Sequence, residues 1–587
     1  MGSNPTLSAH QNMRSKWKLG KLCNLSFQVR ILVFCWIMNL NIYEREKRSM
    51  NNSFINDFVS DTNIKKEPKS LNLMDAIKET LTELPYNKSI TENGALGYRT
   101  TGSALVDINY MTSSLRKMDD TNLNHKFEDA YYENPLYSWK WLFFLRDIRG
   151  GMGERDTFRR IIKHMADFRP DELAALIPLI AEYGRYDDTW VLLDTKLSPI
   201  VIKMINAQLQ VDINNFMEDK PLSLLAKWLP KRNASSQLSR HYAKIIVAGL
   251  KVDSKVYNKM LVKLRSKLDL VETHMCAQQW SAIDYNKVPS KANLLYRNAF
   301  LKHDQERRIQ FLEDLKNGKE GVKINASTNF PHDIVHQYLN GNRWYSFTIR
   351  NYDETLEQLW KNQKDTVNST DKVMVIHDGS GSMYDWIDNN SSIMAETVAT
   401  ALAIYFSERC SGQFKNRFIT FGNKPRFVDI SNCNSLKEKI DCVLRNTDCS
   451  NTNIEKTFML LLNTAIKNNM KQSDLPDTLL IVTDGEFDGM TSGRTDKTLF
   501  ENLAERFSNN GYKLPRLVFW NICSRTGTIP VKENDNGVAL VSGYSVNIMN
   551  MVLSNELDPL KCLLKQLNTE RYLAIENNLK EMEENKK

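Results

Sequence analysis

The stretch KVMVIHDGSGSMYDW, residues 372–386, decides the fold class of the C-terminal half of the chain. Its apolar run is typical of a buried strand, and the pattern Asp-x-Ser-x-Ser follows directly. We predict that the two interleaved glycines let Ser380 and Ser382 face one point beside Asp378. A carboxylate and two hydroxyls at the end of a buried strand supply the hard oxygen ligands that Mg²⁺ prefers.

Apolar runs and amphipathic helices alternate around this stretch. The predicted strands cover 372–377, 417–422, 477–485, 516–522 and 538–543, and the predicted helices cover 394–410, 454–469 and 499–511. This alternation is typical of an α/β doubly wound, Rossmann-like sheet, whose ligands bind outside the carboxyl ends of the strands. Asp484 ends one predicted strand and Thr452 precedes a predicted helix, so we expect both to lie near Asp378.

Residues 70–365 have a helical pattern almost without strand-like alternation. The segment RPDELAALIPLIAEYGR, residues 169–185, predicts a helix that Pro170 starts, Asp171 caps and Gly184 ends. Consecutive helices of this kind, joined by short loops, predict an all-α domain of HEAT-like or solenoid-like type.

A chain of 587 residues is too long for one core, so we predict a multidomain protein. Residues 1–69 form a basic N-terminal extension that we expect to be poorly ordered, with a natural start near Met50. The all-helical domain covers 70–365, the α/β domain 366–555, and a C-terminal helix or tail 556–587.

Composition excludes several classes of protein. Hydrophobic content of 42% excludes wholesale disorder, and a net charge of +8 permits an anionic partner without demanding one. The apolar run Ile31–Met38 is too short to cross a bilayer, so no membrane association is expected. The nine cysteines contain no C-x-x-C pair, which favours reduced thiols and a cytoplasmic location.

The motif Asp378-x-Ser380-x-Ser382, a later loop threonine and the strand end Thr483-Asp484-Gly485 resemble a von Willebrand factor A domain. The resemblance implies a metal-ion-dependent adhesion site. Ser380, Ser382 and Thr452 would then bind Mg²⁺ or Mn²⁺ directly, and Asp378 and Asp484 would act largely through water. An acidic residue of a protein partner would fill the sixth position. Thr447 and Thr457 stay open as alternatives to Thr452.

Longer phrases resemble the family called domain of unknown function 2828, over about residues 75 to 570. They are TENGALGYRTTGSALVD (91–107), WLFFLRDIRGGMGERDTFR (141–159), EYGRYDD (182–188), LLAKWLPKRNASS (224–236), VETHMCAQQWSAIDYNKVPSKA (271–292) and LVSGYS (540–545). The layout, helices followed by an A domain, is similar to that of the Ro (TROVE) ribonucleoproteins, which hold structured RNA on a basic helical ring. That likeness is architectural only.

A row of cations gives the RNA hypothesis support of its own. Basic residues recur at helical spacing at Lys251, Lys255, Lys259, Lys263, Arg265 and Lys267. On one helix they form a stripe that can follow phosphates, although a solvated lysine face explains the same pattern.

The segment RGGMGER, residues 149–155, precedes a predicted helix and has two interpretations. Its glycines can form an anion-binding nest at the helix start. Alternatively, they form a tight turn in which Arg146, Asp147, Glu154 and Arg155 pair.

The sequence contains neither a G-x-S-x-G elbow nor a nucleotide-binding motif, and His377 should point away from Asp378 on its strand. We therefore expect a non-enzymatic binding or scaffold protein that captures an acidic partner group through Mg²⁺. The alternatives are a Ro-like protein that binds structured RNA and, third, a metal-dependent hydrolase.

Overall fold

In the computed structural model, helices dominate the chain up to residue 361, and short strands and helices alternate after it. The described residues are 87–342, 346–365, 372–388, 391–447, 449–488, 499–530, 537–548 and 558–586. The predicted basic extension, residues 1–69, lies outside them. Among the helices of the described ranges, none combines the length and apolar character that crossing a bilayer requires.

Fifteen α-helices precede the large sheet in the described part of the chain. They are α1 Ala104–Tyr110, α2 Asp120–Glu133, α3 Pro135–Arg146, α4 Asp156–Phe168, α5 Pro170–Leu176, α6 Ile180–Tyr183, α7 Ser198–Met217, α8 Leu225–Trp228, α9 Gln237–Gly249, α10 Ser254–Lys267, α11 Val271–Cys276, α12 Ser290–His303, α13 Gln305–Lys316, α14 Pro331–Tyr338 and α15 Glu354–Lys361. The predicted helical region is thus confirmed.

Strands and helices alternate after residue 372, and two short hairpins occur earlier in the chain. The strands are β1 Lys88–Ile90, β2 Leu96–Tyr98, β3 Leu339–Asn342, β4 Ser346–Ile349, β5 Val373–Asp378, β6 Arg417–Phe421, β7 Arg426–Asp429, β8 Thr478–Thr483, β9 Arg516–Asn521 and β10 Val538–Ser542. The later helices are α16 Ala395–Arg409, α17 Leu436–Arg445, α18 Ile454–Lys467, α19 Leu499–Asn509, α20 Pro559–Leu567 and α21 Leu573–Glu584.

The large sheet has six strands in the order β10-β9-β8-β5-β6-β7. All neighbours are parallel except β6 and β7, which makes β7 an antiparallel edge. Every residue of β5 and of β8 is buried, as expected for strands covered on both faces. The chain leaves β5 toward β6 and later returns to β8 on the other side. The crevice at this change of direction, between the carboxyl ends of β5 and β8, is where such sheets bind ligands.

The five predicted strands are confirmed within one or two residues. The edge strand β7 was not predicted because its sequence, RFVD, lacks an apolar run and buries only Val428. The hairpins β1–β2 and β3–β4 interrupt the region predicted to be without strands.

The predicted helix over 170–184 is broken by Pro178. Because proline lacks a backbone N–H, the chain passes through a 3₁₀ turn at Ile177–Leu179 between α5 and α6. Asp171 does not cap the helix, since Arg169 occupies the N-cap and Asp171 lies in the first turn. Gly184 does end it, as predicted.

The C-terminal helices return to the helical region. Helix α20 packs against α3, and α21 packs against α5. The side chain of Arg571 donates to both carboxylate oxygens of the buried Asp147. The buried hydrophobic residues form one cluster from Ala95 to Ile575, so the helices and the sheet share a continuous core.

Candidate metal centre

The predicted metal ligand Asp378 is the last residue of β5, and its side chain is fully buried. The hydroxyl of Thr483, at the end of β8, donates to its Oδ2 at 2.6 Å. The backbone N–H of Ser380 donates to its Oδ1 at 3.0 Å. Because β5 and β8 are adjacent and parallel, their carboxyl ends lie at the same edge of the sheet. The two donors, a hydroxyl and a backbone N–H, are neutral. They orient the carboxylate of Asp378 without neutralising its charge.

Ser380, Ser382 and Asp484 lie beside this carboxylate. The hydroxyl oxygens of Ser380 and Ser382 are 2.9 Å apart, and the side chain of Ser382 hydrogen bonds to that of Asp484. Asp484 is 1% exposed, and the backbone N–H of Glu486 donates to its Oδ1 at 3.1 Å. The structure thus brings four of the five predicted side chains together at one point of the sheet edge.

The two carboxylates of this cluster destabilise each other when both are ionised. Burial raises the pKa of Asp378, and the negative charge of Asp484 raises it further. Burial also raises the pKa of Asp484, which the hydrogen bond from the backbone of Glu486 partly offsets. A cation bound between the carboxylates would reverse both effects, because an opposite charge favours the ionised form.

The loop residues Thr447 and Cys449 explain the two glycines of the motif. Neither Gly379 nor Gly381 has a positive φ, so the predicted tight turn does not require glycine. A Cβ atom on Gly381 would lie 3.2 Å from the carbonyl oxygen of Cys449, and one on Gly379 would lie 3.1 Å from the side chain of Thr447. The glycines therefore permit the close approach of this loop to the motif.

Three threonines were candidates for the loop ligand, and the structure separates them. The hydroxyl of Thr452 is buried and accepts from Nδ2 of Asn93 at 3.0 Å. The same Nδ2 donates to the carbonyl oxygen of Glu486 at 2.6 Å, which ties Thr452 to the loop that follows β8. Thr447 donates to a carbonyl of the preceding turn, and Thr457 lies buried within α18. Thr452 is therefore the candidate joined to the loop after β8.

Glu486 is a buried residue of the site that we did not predict. Its carboxylate accepts from the backbone N–H groups of Glu92, Arg525 and Thr526, each at 2.9 Å. The hydroxyls of Ser524 and Thr526 donate to it as well. Glu486 therefore fastens the β1–β2 hairpin and the loop after β9 to the site. The only sequence signal is an acidic residue two positions after Asp484.

Arg525 is the cation that the structure places beside the cluster. Its guanidinium lies 3.6 Å from Asp484, 3.2 Å from Asp385 and 2.7 Å from Glu92. Partial burial works against its charge, but the three carboxylates together with Glu486 raise the pKa of Arg525. The single positive charge of Arg525 neutralises only part of the negative charge that the carboxylates of the site carry.

The donor set fits a small, hard cation. Carboxylate and hydroxyl oxygens, with water, are the ligands that Mg²⁺ and Mn²⁺ prefer. No group of three or more His, Cys, Asp or Glu within the described ranges could hold a metal. A cation at this edge would therefore depend on Ser380, Ser382 and water in addition to Asp378 and Asp484.

His377 lies on the opposite side of β5 from the cluster. Its ring is fully buried, and its Nε2 lies 3.3 Å from the buried carboxylate of Glu396 in α16. As predicted, the histidine cannot act as a base at Asp378.

The predicted row of cations is shorter in the structure. Lys255, Lys259 and Lys263 are exposed on α10, whereas Lys251 lies in the turn before it with a φ of 55°. Arg265 donates to the carbonyl oxygens of Ala226 and Leu229 at 2.8 and 2.7 Å, and Lys267 pairs with Asp219 at 2.7 Å. Three lysines therefore remain on an open face.

Two family models match different parts of the chain. Residues 91–186 and 223–376 match the model of the family Domain of unknown function (DUF2828). The match to this first model ends at residue 376, short of the expected residue 570, and residues 372–586 match a second model, Domain of unknown function (DUF7788). The chain is also similar to "Uncharacterized protein L728" of Acanthamoeba polyphaga mimivirus, with 29% identity over 527 residues, 82% of this chain and 87% of that protein. The family that the helical part matches is therefore the one expected from its sequence, domain of unknown function 2828.

Proposed function

We propose that this chain is a binding or scaffold protein whose sheet carries a metal-ion-dependent adhesion site of the von Willebrand factor A type. Asp378, Ser380, Ser382, Thr452 and Asp484 would hold Mg²⁺ or Mn²⁺. The observation that carries the proposal is the pair of buried carboxylates at the crevice between β5 and β8, each with a raised pKa. Two hydroxyls lie within the same cluster and complete an oxygen donor set.

The chemistry of the donors favours binding over catalysis. A bound divalent cation supplies an electrophilic centre, because neutral hydroxyls withdraw little of its charge. Such a centre attracts a carboxylate, which is why we propose an acidic residue of a protein partner as the ligand. The residues around the cluster then control access. Glu92 and Asn93, at the tip of the β1–β2 hairpin, adjoin Arg525 and Thr452, so a partner must approach beside this tip.

Metal binding is tested by isothermal titration calorimetry of the full chain with Mg²⁺ and Mn²⁺ after treatment with EDTA. We expect one site, lost in Asp378→Ala and retained in the control Asp219→Ala, whose carboxylate is exposed. Partner capture is tested by affinity purification with and without EDTA. Partners recovered equally with EDTA and with Asp378→Ala would contradict the proposal. Hydrolytic activity that requires both the metal and Asp378 would replace it with the third hypothesis.

A second candidate function is binding of structured RNA on the helical region. It is favoured by the three lysines at successive turns of α10, which are exposed and point along one face. A gel-shift assay at low salt should show retardation that weakens in Lys255→Ala/Lys259→Ala/Lys263→Ala. RNA that the chain fails to retard at any salt concentration would exclude this function.

A further inference from the structure

A cleft of about 870 Å³ is lined mainly by the helical region, together with Asp388 and Ser391 of the sheet half, and none of the five proposed metal ligands lines it. Its lining is rich in cations from four separate segments of the chain. These are Arg116, Arg146, Arg149, Arg155, Arg185 and Lys291. The segment RGGMGER forms part of the wall, and helix α4 begins there without a side-chain cap. The predicted pairing around that segment is wrong, because Arg146, Asp147 and Glu154 each pair with a residue from elsewhere in the chain.

Two carboxylates behind the wall, the buried Asp188 and the half-buried Asp187, hold two of these arginines in place. Arg146 is 4% exposed, and its Nε and Nη2 both donate to Oδ2 of the fully buried Asp188 at 2.7 Å. These bonds use the edge of the guanidinium formed by Nε and Nη2, and they do not involve Nη1. Arg185 is held in the same way by Asp187, at 2.7 Å from its Nε. Arginines fixed by carboxylates from behind can present their remaining N–H groups to an anion without losing further side-chain entropy.

Two arginines of the lining have no counter-ion. Arg149 and Arg155 make no ion pair with any carboxylate of the described ranges, and Nη1 of Arg149 donates to a neutral acceptor, the carbonyl oxygen of Glu182, at 3.0 Å. Burial lowers the pKa of Arg155, and the charges of Arg159 and Arg185 lower it further, whereas Asp187 and Asp188 act in the opposite direction. An anion would remove this repulsion.

The acidic residues of the lining do not neutralise the positive charge of Arg149 and Arg155. Glu154 pairs with Arg116 through two hydrogen bonds at 2.7 and 2.8 Å, and Asp388 lies 3.3 Å from the same guanidinium. Of the three acidic residues in the lining, Asp156 has no such partner. Its single negative charge faces the two positive charges of Arg149 and Arg155. The N-terminus of α4, where the helix dipole is positive, adds to the positive potential of Arg149 and Arg155.

The cleft also has an apolar wall. Leu224, Trp228 and Phe330 line it, and Leu224 is 51% exposed. The guanidinium of Arg185 stacks on the Trp228 ring at 3.9 Å from its centre, which places a flat cationic surface beside the apolar one. The volume exceeds what a single inorganic anion needs and lies within the range of pockets for small organic ligands.

We propose that this cleft binds a nucleotide, with its phosphates at Arg149, Arg155 and the free edge of Arg146 and its base against Leu224, Trp228 and Phe330. The nucleotide is either free or one unit of a nucleic-acid strand, since both offer the same phosphate and base. The proposal concerns a different surface from the metal centre and does not depend on it.

The test uses the full chain in EDTA, so that the metal centre takes no part. Fluorescence anisotropy measures binding of a fluorescent ATP analogue, with competition by ATP, by inorganic pyrophosphate and by a short single-stranded RNA. The variant Arg149→Ala/Arg155→Ala removes two exposed side chains that make no ion pair, so its thermal stability should equal that of the wild type. The matched control, Lys255→Ala/Lys259→Ala, removes the same charge from α10.

We expect the arginine variant to weaken binding by about tenfold or more, and the lysine control to leave it unchanged. Pyrophosphate should compete less well than ATP because it lacks a base. RNA that competes at much lower concentration than ATP identifies a strand as the source, and ATP that competes better identifies a free nucleotide. Absence of binding at millimolar ATP and RNA, or equal weakening in both variants, would overturn the proposal.

Discussion

The side-chain amide of Asn93 donates a hydrogen bond to the hydroxyl of Thr452 at 3.0 Å, although the two residues are 359 positions apart. The same nitrogen donates to the carbonyl oxygen of Glu486, and the carboxylate of Glu486 accepts from the backbone of Glu92. The β1–β2 hairpin at the start of the described chain therefore covers the loops of the candidate metal centre. A side chain from the helical half thus contacts a proposed metal ligand in the sheet half.

Asn93→Ala removes both of these side-chain hydrogen bonds. We expect a loss of about 1 to 2 kcal/mol in the free energy of unfolding, because the carbonyl oxygen of Glu486 and the hydroxyl of Thr452 lose a buried donor. Hydrogen exchange should quicken over residues 88–98 before it does in the sheet. The control Asn298→Ala, at an exposed position of α12, should change neither quantity. Unaltered exchange in the hairpin of Asn93→Ala would show that the amide does not hold it.

Asp378→Asn should stabilise the metal-free chain at neutral pH. The folded-state pKa of Asp378 is raised by burial and by Asp484, so the wild type gains stability when this group is protonated and loses it as pH rises through the raised pKa. Asparagine keeps the acceptor for Thr483 and removes this dependence. Thermal unfolding in EDTA from pH 5 to 8 should therefore show a smaller decline in the variant than in the wild type.

The same variant should lose stabilisation by Mg²⁺, which raises the melting temperature of the wild type if the centre binds the ion. Asp219→Asn, on the surface, serves as the control for both measurements. Parallel pH profiles of Asp378→Asn and the wild type would contradict the buried charge repulsion.

His332 should make the chain sensitive to acid. Burial lowers the pKa of its imidazole to about 4, and the ring stacks on Phe330 at 5.5 Å. Because the folded-state pKa is depressed, the stability linked to His332 is complete above its unfolded pKa of about 6.5 and is lost as pH falls through about 4. Beside this effect of burial, Asp333 raises the pKa of His332, whereas Lys291, Arg116 and His336 lower it.

His332→Phe keeps the ring and removes the titration. Chemical unfolding at pH 7 and pH 4.5 should show a smaller loss of stability at the lower pH in the variant than in the wild type. The difference should be on the order of 1 to 3 kcal/mol. An equal loss in both proteins would show that other groups cause the acid sensitivity.

Arg571→Ala should destabilise the chain strongly. It leaves the carboxylate of Asp147 fully buried without its cation, which typically costs about 3 to 5 kcal/mol. The hydroxyl of Tyr572 would remain as a donor to Asp147 at 3.2 Å. Urea unfolding measures the loss, and Lys580→Ala on the exposed face of α21 is the control. If Arg571→Ala and Lys580→Ala have equal effects, the ion pair between Arg571 and Asp147 does not stabilise the chain.

The local sequence predicted the elements on which the candidate site depends. The apolar runs that end at Asp378 and Asp484 predicted two buried strands, because continuous apolar residues bounded by glycine and aspartate fit few other structures. The helix Ser254–Lys267 covers most of the stretch that the spacing of its basic residues predicted, although Lys251 lies before it. The N-cap side chain of Asp253 accepts from two backbone N–H groups there, and such a capping residue is visible in sequence.

The local sequence pattern did not predict which residues the charged side chains contact. Around RGGMGER, nearness in sequence favoured pairs among Arg146, Asp147, Glu154 and Arg155. The first three instead have partners from elsewhere, namely Asp188, Arg571 and Arg116. Arg265 fits a basic stripe by its spacing, yet it donates to backbone carbonyl oxygens of α8 and the residue after it. Ion pairs depend on which helices pack together, and that is set by the whole core.

The sequence by itself determined the helical region, five of the six strands of the large sheet and the residue types at the carboxyl end of β5, because these depend on periodicity and on neighbours in the chain. Only the tertiary structure decided that Glu486 and Arg525 join the candidate site, that a hairpin 359 residues away closes over Thr452, and that six cations meet in one cleft. These contacts join segments far apart in the chain, and their geometry follows from packing around a shared core rather than from any local pattern.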